Sequence, residues 1–183
     1  MATDVYIILA DGFEETEAIA PLDLFRRAGL RASLVSVTGS RSVVGSQGLV
    51  VIADMLFESI HCSPLALVLP GGPGHAALYE HDGLAAFIRD CAKNDEILFC
   101  AICASPIVLA KHGVLDGKRA VCYPGFEDRL GGAVYEDANA VTDGNVITSK
   151  GPGTAVPFAL AIIERLCGAE TAESVASSFL AIR

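Results

Sequence analysis

The chain has 183 residues, 52% of them hydrophobic, and a formal net charge of -9 at pH 7. This length fits one domain better than two and is enough to bury a substantial core. Charged residues interrupt every long apolar stretch, so none approaches the roughly 18 residues that would span a bilayer. The acidic balance argues against a surface that tracks nucleic-acid phosphates. We therefore expect neither a membrane nor a nucleic acid as a partner.

The start of the chain bears on its cellular location. A strand-like apolar run begins at residue 5 with no basic segment ahead of it, and Asp4 places an acid directly before the run. This pattern argues against a secretory or mitochondrial leader. We expect a cytoplasmic protein whose cysteines remain free thiols in a reducing compartment. The six cysteines are Cys62, Cys91, Cys100, Cys103, Cys122 and Cys167.

Strand and helix patterns alternate along most of the chain, which is typical of βαβ units with a mostly parallel sheet. Strands are predicted over residues 5–10, 32–38, 49–53, 65–69, 96–102, 119–122 and 145–149, and helices over 15–28, 83–93, 104–112, 153–167 and 171–180. The segments 41–51 and 140–147 break this rhythm with turn residues between short strands, and Asp143-Gly144-Asn145 is a strong hairpin signal. We predict one α/β domain over residues 1–183, with a doubly wound, mostly parallel sheet, helices on both faces and a small β-hairpin.

Three loops follow predicted strands and carry the candidate chemistry. They are Asp11–Glu17 after the first strand, Pro70–Gly74 after a central strand, and Cys103–Ser105 after the next. Ligands of open parallel sheets bind beyond the carboxyl ends of the strands. We therefore expect the three loops to gather at one edge of the sheet.

Cys103 is the first candidate nucleophile. It stands where a buried strand ends and a helical pattern begins, and Pro106 suits the first helical turn. Unpaired N–H groups and the positive end of the helix dipole at such a position favour a thiolate over a thiol. The arrangement is similar to the nucleophile elbow of hydrolases. The alternative is an inert, buried cysteine.

Cys100 and Cys103 form a C-x-x-C pair, a spacing also found in redox and zinc sites. Because Cys100 lies inside the strand, we expect strand alternation to send the two sulfurs to opposite faces. A zinc site would need a second pair or histidines at ligand spacing, and none follows. We interpret the spacing as coincidental and expect no metal.

The acidic loop offers Glu14, Glu15 and Glu17. Acids in a first helical turn complement the helix dipole, which is a sufficient reason for Glu14 and Glu15. Glu17 lies further into the helix, on a face expected to turn inward. Burial would raise the pKa of its carboxyl, so that it could donate a hydrogen bond to the cysteine sulfur or act as acid or base.

Gly71 and Gly72 follow an apolar strand, and a tight turn alone would explain them. Their functional interpretation is that the N–H groups of Gly72 and Ala104 point into the site and bind a developing oxyanion.

Longer runs of residues carry a resemblance to a known family. They are Ile8-Leu9-Ala10 with Glu14-Glu15-Thr16-Glu17, Pro21-Leu22-Asp23, Arg26-Arg27-Ala28-Gly29, Leu69-Pro70-Gly71-Gly72, Ala101-Ile102-Cys103-Ala104, Thr148-Ser149-Lys150-Gly151-Pro152-Gly153-Thr154 and Phe158-Ala159-Leu160-Ala161-Ile162. Nearly end to end, the chain resembles the ThiJ/PfpI superfamily, in the branch of the Parkinson-disease-associated protein deglycase. The resemblance implies a flavodoxin-like homodimer with a class I glutamine amidotransferase-like domain. It also implies a reactive Cys103, a partner Glu17 and oxyanion donors at Gly72 and Ala104, with Gly71 in the same oxyanion and substrate-binding group.

The resemblance further implies a cofactor-free glyoxalase or deglycase that acts on 2-oxoaldehydes such as methylglyoxal or on glycated proteins, in defence against carbonyl and oxidative stress. The alternative is a non-enzymatic redox sensor or chaperone whose cysteine oxidises to a sulfinate. An amidase or protease, or a protein of the thiazole monophosphate biosynthesis type, is the third possibility.

The chain departs from the family in one place. Many members carry a histidine directly after the cysteine or just before the proline of a loop that here reads Ala120–Pro124, and this chain has Ala104 and Tyr123 there. Amide hydrolysis needs a general acid for the amine leaving group, so the protease-like mechanism is weakened. Among the four histidines, His75 is the candidate to lie near the pocket. Tyr123, Pro124 and Glu14 are further candidates for its lining.

Overall fold

The fold is built around a seven-stranded sheet, seen in a computed structural model that describes residues 4–181. The strands are β1 (Val5–Leu9), β2 (Ala32–Ser36), β3 (Ser42–Val44), β4 (Val50–Ile52), β5 (Met55–Leu56), β6 (Ala66–Leu69), β7 (Leu98–Ile102), β8 (Arg119–Ala120), β9 (Val134–Tyr135), β10 (Ala140–Asp143) and β11 (Val146–Ser149). The sheet has the order β10-β11-β7-β6-β1-β2-β5, and only the β10–β11 pair is antiparallel. The predicted doubly wound, mostly parallel sheet is confirmed.

The predicted hairpin at Asp143-Gly144-Asn145 is present, and the segment 41–51 contributes to a second one. β3 and β4 pair antiparallel outside the main sheet, and β10 and β11 pair through the turn that follows Asp143. The strand predicted over 119–122 is shorter, because only Arg119 and Ala120 pair, with β9. Beyond them the Val121 N–H donates to the Thr148 hydroxyl, which takes the backbone out of the strand ladder.

Helices cover both faces of the main sheet. They are α1 (Glu15–Arg27), α2 (His75–Glu80), α3 (Asp82–Cys91), α4 (Pro106–Lys111), α5 (Ala155–Cys167) and α6 (Ala169–Ser178). Apolar side chains of α1, α5 and α6 pack on one face, and those of α2, α3 and α4 pack on the other. The sequence analysis missed α2, because six residues are too few for a helical period to stand out.

Two further expectations concern the chain as a whole. The six cysteines all lie within residues 4–181, and all six are free thiols, as predicted. Over the same residues, no helix combines the length and the apolar character needed to cross a membrane.

The three candidate loops meet at one edge of the sheet, as predicted, because β1, β6 and β7 are neighbours and run parallel. Backbone hydrogen bonds join the first two loops, since the Glu14 N–H donates to the Gly71 carbonyl at 3.0 Å. The buried Ser105 hydroxyl donates to the Pro70 carbonyl at 2.6 Å and joins the second loop to the third.

Candidate active site

Cys103 occupies a strained corner at the end of β7. Its φ is 64°, in the left-handed region that residues other than glycine seldom adopt, and its side chain is half-buried. Two hydrogen bonds hold the corner: the Cys103 N–H donates to the Ser149 carbonyl at 2.9 Å, and the Cys103 carbonyl accepts from the Tyr123 N–H at 2.8 Å. Strain of this kind persists where surrounding structure enforces it, as at functional sites.

The same corner corrects one expectation from the sequence. Cys100 and Cys103 pack on the same side of the sheet, against the cluster that α1 and α5 cover. Strand alternation does not reach Cys103, because its left-handed backbone turns the side chain back toward α1. The two sulfurs nonetheless remain separate thiols.

Glu17 is fully buried on the inner face of α1. Its Oε2 accepts a hydrogen bond from the Gly71 N–H at 2.7 Å, whereas its Oε1 has no partner among residues 4–181. Burial raises the pKa of the Glu17 carboxyl to about 7, and the nearby Glu14 charge adds to the rise. A carboxyl with this pKa exchanges a proton readily near neutral pH.

Gly71 lies between the two candidate catalytic side chains. A Cβ atom there would come within 2.6 Å of the Cys103 Cβ and 2.8 Å of the Glu17 Oε2. Any side chain at position 71 would therefore push Glu17 and Cys103 apart. Their close approach requires this glycine.

Two backbone N–H groups, those of Gly72 and Ala104, interact with the Cys103 sulfur and lower the pKa of the thiol. Gly72 has a φ of 80°, and a Cβ atom at this position would meet the Gly12 carbonyl oxygen at 2.5 Å. The turn after β6 thus needs glycine at position 72 as well. The N–H pair has the geometry of a site that stabilises a negative sulfur or oxygen.

The ionisation of Cys103 differs from the expectation. Burial and the charge of an ionised Glu17 raise the pKa of the thiol to about 12. These two effects outweigh the N–H groups of Gly72 and Ala104, which lower the same pKa. The pKa of the thiol therefore lies above its ordinary value, because Cys103 is partly desolvated and stands three residues before α4. When Glu17 holds a proton, the charge that raises the thiol pKa is removed.

The remaining candidates, Glu14, Tyr123, Pro124 and His75, differ in their contacts and exposure. The half-buried Glu14 accepts a hydrogen bond from the Ser46 hydroxyl at 2.8 Å. Tyr123 is 46% exposed, and its ring lies against Gly151, while Pro124 beside it is exposed. His75 is linked to the site through the backbone, since its Nδ1 lies 2.8 Å from the Gly72 carbonyl oxygen.

Sequence reasoning missed the residues that hold the centre in place. Ser149 acts through its backbone carbonyl, and Ser105 through a buried hydroxyl. Every residue has a backbone carbonyl, so the residue type does not indicate that Ser149 has this role. Ser105 follows Cys103 by two positions, so a polar residue inside an otherwise apolar stretch was the available signal.

The sequence profile of the DJ-1/PfpI family matches residues 3–165. The chain belongs to the DJ-1/PfpI family. This confirms the resemblance drawn from the sequence motifs. Among its relatives, the Parkinson disease protein 7 homolog of Danio rerio is 38% identical over 175 residues, and the match covers 92% of each protein.

Two other members of the DJ-1/PfpI family extend the comparison. The glutathione-independent glyoxalase DJR-1.2 of Caenorhabditis elegans is 34% identical over 165 residues, which cover 88% of this chain and 87% of that protein. The crystal structure of Drosophila melanogaster DJ-1beta matches with a TM-score of 0.93 at 37% identity, over 100% of both chains. The fold of the chain is therefore that of DJ-1 structures.

Proposed function

We propose that the chain is a cysteine-dependent, cofactor-free glyoxalase or deglycase that acts on 2-oxoaldehydes such as methylglyoxal or on their protein adducts. One observation carries the proposal: the buried Glu17 carboxyl and the Cys103 sulfur converge on Gly71, with two amide N–H groups at the sulfur. A nucleophile, a proton carrier and an oxyanion site are the parts that this reaction needs.

Glu17 and Cys103 titrate as a pair, and near neutral pH the pair holds one proton. In the reactive form the proton lies on Glu17, whose carboxyl interacts with the Cys103 side chain, so that the neutral carboxyl no longer raises the pKa of the thiol. In this form the thiolate has the N–H groups of Gly72 and Ala104 as hydrogen-bond donors. The active form therefore combines a thiolate with a protonated Glu17.

The reaction begins when the Cys103 thiolate adds to the aldehyde carbon of methylglyoxal and Glu17 gives its proton to the new oxygen. The Glu17 carboxylate then removes the hydrogen of carbon one as a proton and returns it to carbon two. The hydroxyl proton passes from the oxygen of carbon one to the oxygen of carbon two, and the hemithioacetal becomes a thioester. The Gly72 and Ala104 amides stabilise the enediolate-like oxygen between these two transfers. Water hydrolyses the thioester, which releases the Cys103 thiolate and returns a proton to Glu17, so that the sum is methylglyoxal plus water giving lactate and one proton.

One relative and the exposure of the site support this proposal. The Caenorhabditis elegans relative is named a glutathione-independent glyoxalase. Tyr123 and Pro124, in the loop that hydrogen bonds to the Cys103 carbonyl, are exposed, which fits an adduct carried on a protein as well as a free aldehyde. A single domain, a homodimer and a cytoplasmic location remain predictions from the sequence.

The test is lactate formation from methylglyoxal by the purified wild type and the Glu17→Gln variant, assayed together without glutathione. We expect lactate from the wild type and a large loss of turnover in the variant. Absence of lactate from the wild-type protein would exclude the glyoxalase reaction.

A redox sensor is the second candidate, favoured by the partly exposed sulfur of Cys103 and its two amide donors. The same donors could hold the oxygens of a sulfinate. A mass gain of two oxygens on the Cys103 peptide under mild peroxide, without lactate formation, would favour the sensor.

An amidase is less well supported. The position before Pro124 carries Tyr123, and His75 uses its Nδ1 on the Gly72 carbonyl. Neither arrangement offers an acid to the amine leaving group at the sulfur. No residue of this site specifically supports a function of the thiazole monophosphate biosynthesis type.

A further inference from the structure

His75 donates a hydrogen bond to the backbone of the candidate oxyanion site. Its Nδ1 lies 2.8 Å from the Gly72 carbonyl oxygen. A carbonyl oxygen only accepts, so Nδ1 carries the hydrogen. The backbone N–H of His75 donates to the same oxygen at 3.1 Å. The Gly72 carbonyl is thus fixed by two donors from one residue.

This contact matters because of what Gly72 does on its other side. Its N–H interacts with the Cys103 sulfur and lowers the pKa of the thiol. Gly72 has a φ of 80°. Because glycine has no side chain, nothing within the residue itself restrains its backbone conformation. The direction of its N–H therefore depends on groups that hold the neighbouring atoms, and His75 holds the carbonyl.

The imidazole is itself held by Phe126. The two rings meet edge to face, with centroids 5.4 Å apart and planes at 89°. The loop that carries Phe126 is anchored to the nucleophile, since the Tyr123 N–H donates to the Cys103 carbonyl at 2.8 Å. Contacts therefore run from Cys103 through this loop to His75, and back to the sulfur through Gly72.

We propose that His75 is a positioning residue, which fixes the Gly72 N–H at the sulfur and so sets the reactivity of Cys103. It acts through the Gly72 backbone. The consequence for turnover rests on the proposed function, whereas the effect on the thiol does not. A replacement for His75 must supply a hydrogen-bond donor at the place of Nδ1. Asparagine can do so through its Nδ2, and leucine cannot.

The experiment measures alkylation of Cys103 by iodoacetamide from pH 5 to pH 10, followed by mass spectrometry of the Cys103 peptide. The exposed Cys62 in the same sample serves as the reference thiol. For His75→Leu we expect alkylation about three- to tenfold slower at pH 7, as loss of one hydrogen bond to the site implies, with the profile displaced to higher pH. His75→Asn should stay close to wild type, and exposed His61→Leu should not change.

Two results would overturn the proposal: a wild-type profile for His75→Leu, or equal slowing by leucine and asparagine. A Phe126→Leu variant keeps the hydrogen bond and loosens the ring. Phe126→Leu should slow alkylation by less than His75→Leu does. If His75→Leu fails to fold, an unchanged alkylation profile of Phe126→Leu counts against the proposal. Lactate formation is recorded in parallel. A displaced profile without any lactate would overturn the proposed function alone, and lactate with an unchanged profile would overturn only this inference.

Discussion

Glu17 Oε2 and Cys103 Sγ lie 2.8 and 3.0 Å from the point that a Cβ atom on Gly71 would occupy. A buried carboxyl and a half-buried thiol thus approach one another across a residue without a side chain. In such a place the proton of one group decides the charge of the other. The chemical character of the site depends on this pair more than on either residue alone.

Replacement of Cys103 by alanine tests the nucleophile. We expect lactate formation from methylglyoxal to fall to the uncatalysed rate, because the covalent intermediate cannot form. Cys62→Ala, which removes an exposed thiol, is the matched control and should keep wild-type turnover. Wild-type turnover by Cys103→Ala would eliminate the mechanism.

Replacement of Glu17 by glutamine tests the proton carrier. We expect kcat to fall by about 10²- to 10⁴-fold, the usual contribution of a general acid or base. Glu164→Gln changes an exposed carboxyl on a helix and should have little effect. A Glu17→Gln enzyme with wild-type kcat would show that the proton travels by another group.

The pH dependence of kcat/KM should report the pair. Below the raised Glu17 pKa of about 7, both Glu17 and Cys103 are protonated and the thiolate is absent. The rate should therefore rise from pH 5 to pH 8 with a midpoint near 7. A rate that is flat across this interval would contradict the assignment of the shared proton.

Glu17 should also make the fold less stable as the pH rises. Its pKa is about 7 in the folded chain and 4.5 when unperturbed, so its favourable contribution is complete below pH 4.5 and is lost as the pH rises through 7. Glu17→Gln should match wild type near pH 4.5 and exceed its free energy of unfolding by up to about 3 kcal/mol at pH 8. Urea unfolding at the two pH values measures the difference. A gap that shrinks with rising pH would contradict the burial argument.

Gly71→Ala should damage both activity and stability. The added Cβ would meet the Cys103 Cβ at 2.6 Å, so we expect lower turnover and a loss of about 1–3 kcal/mol from overpacking. Gly153→Ala is the control, because it has open space and no left-handed φ. Its stability should be unchanged or higher by up to about 1 kcal/mol. Equal behaviour of the two variants would refute the steric role of Gly71.

Much of the fold was predictable because its signals are local or periodic. The apolar run that ends at Ile102 predicted a central strand, and the turn at Gly144 predicted the β10–β11 hairpin. The short helix α2 was not predicted, since six residues are too few to show a helical hydrophobic period. The strand at 119–122 was overextended, because a tertiary hydrogen bond from Val121 to Thr148 ends its pairing.

The site divides in the same way. Cys103 and Glu17 could be chosen from their positions at a strand end and on an inward helix face. The same reasoning placed Cys100 and Cys103 on opposite faces of the sheet, because it could not foresee a left-handed φ at a cysteine. It gave His75 no defined role, because its partner is a backbone carbonyl that no residue type reveals.

By itself, the sequence predicted the sheet, the three loops and the candidate reactive groups, because these predictions depend on hydrophobic periodicity and on residue type. Only the tertiary structure decided the directions in which the pKa values of Glu17 and Cys103 shift. Desolvation of Glu17 and the convergence of amide N–H groups on Cys103 depend on elements far apart in the chain. A pKa is set by what surrounds a group in space, and only the folded chain supplies those surroundings.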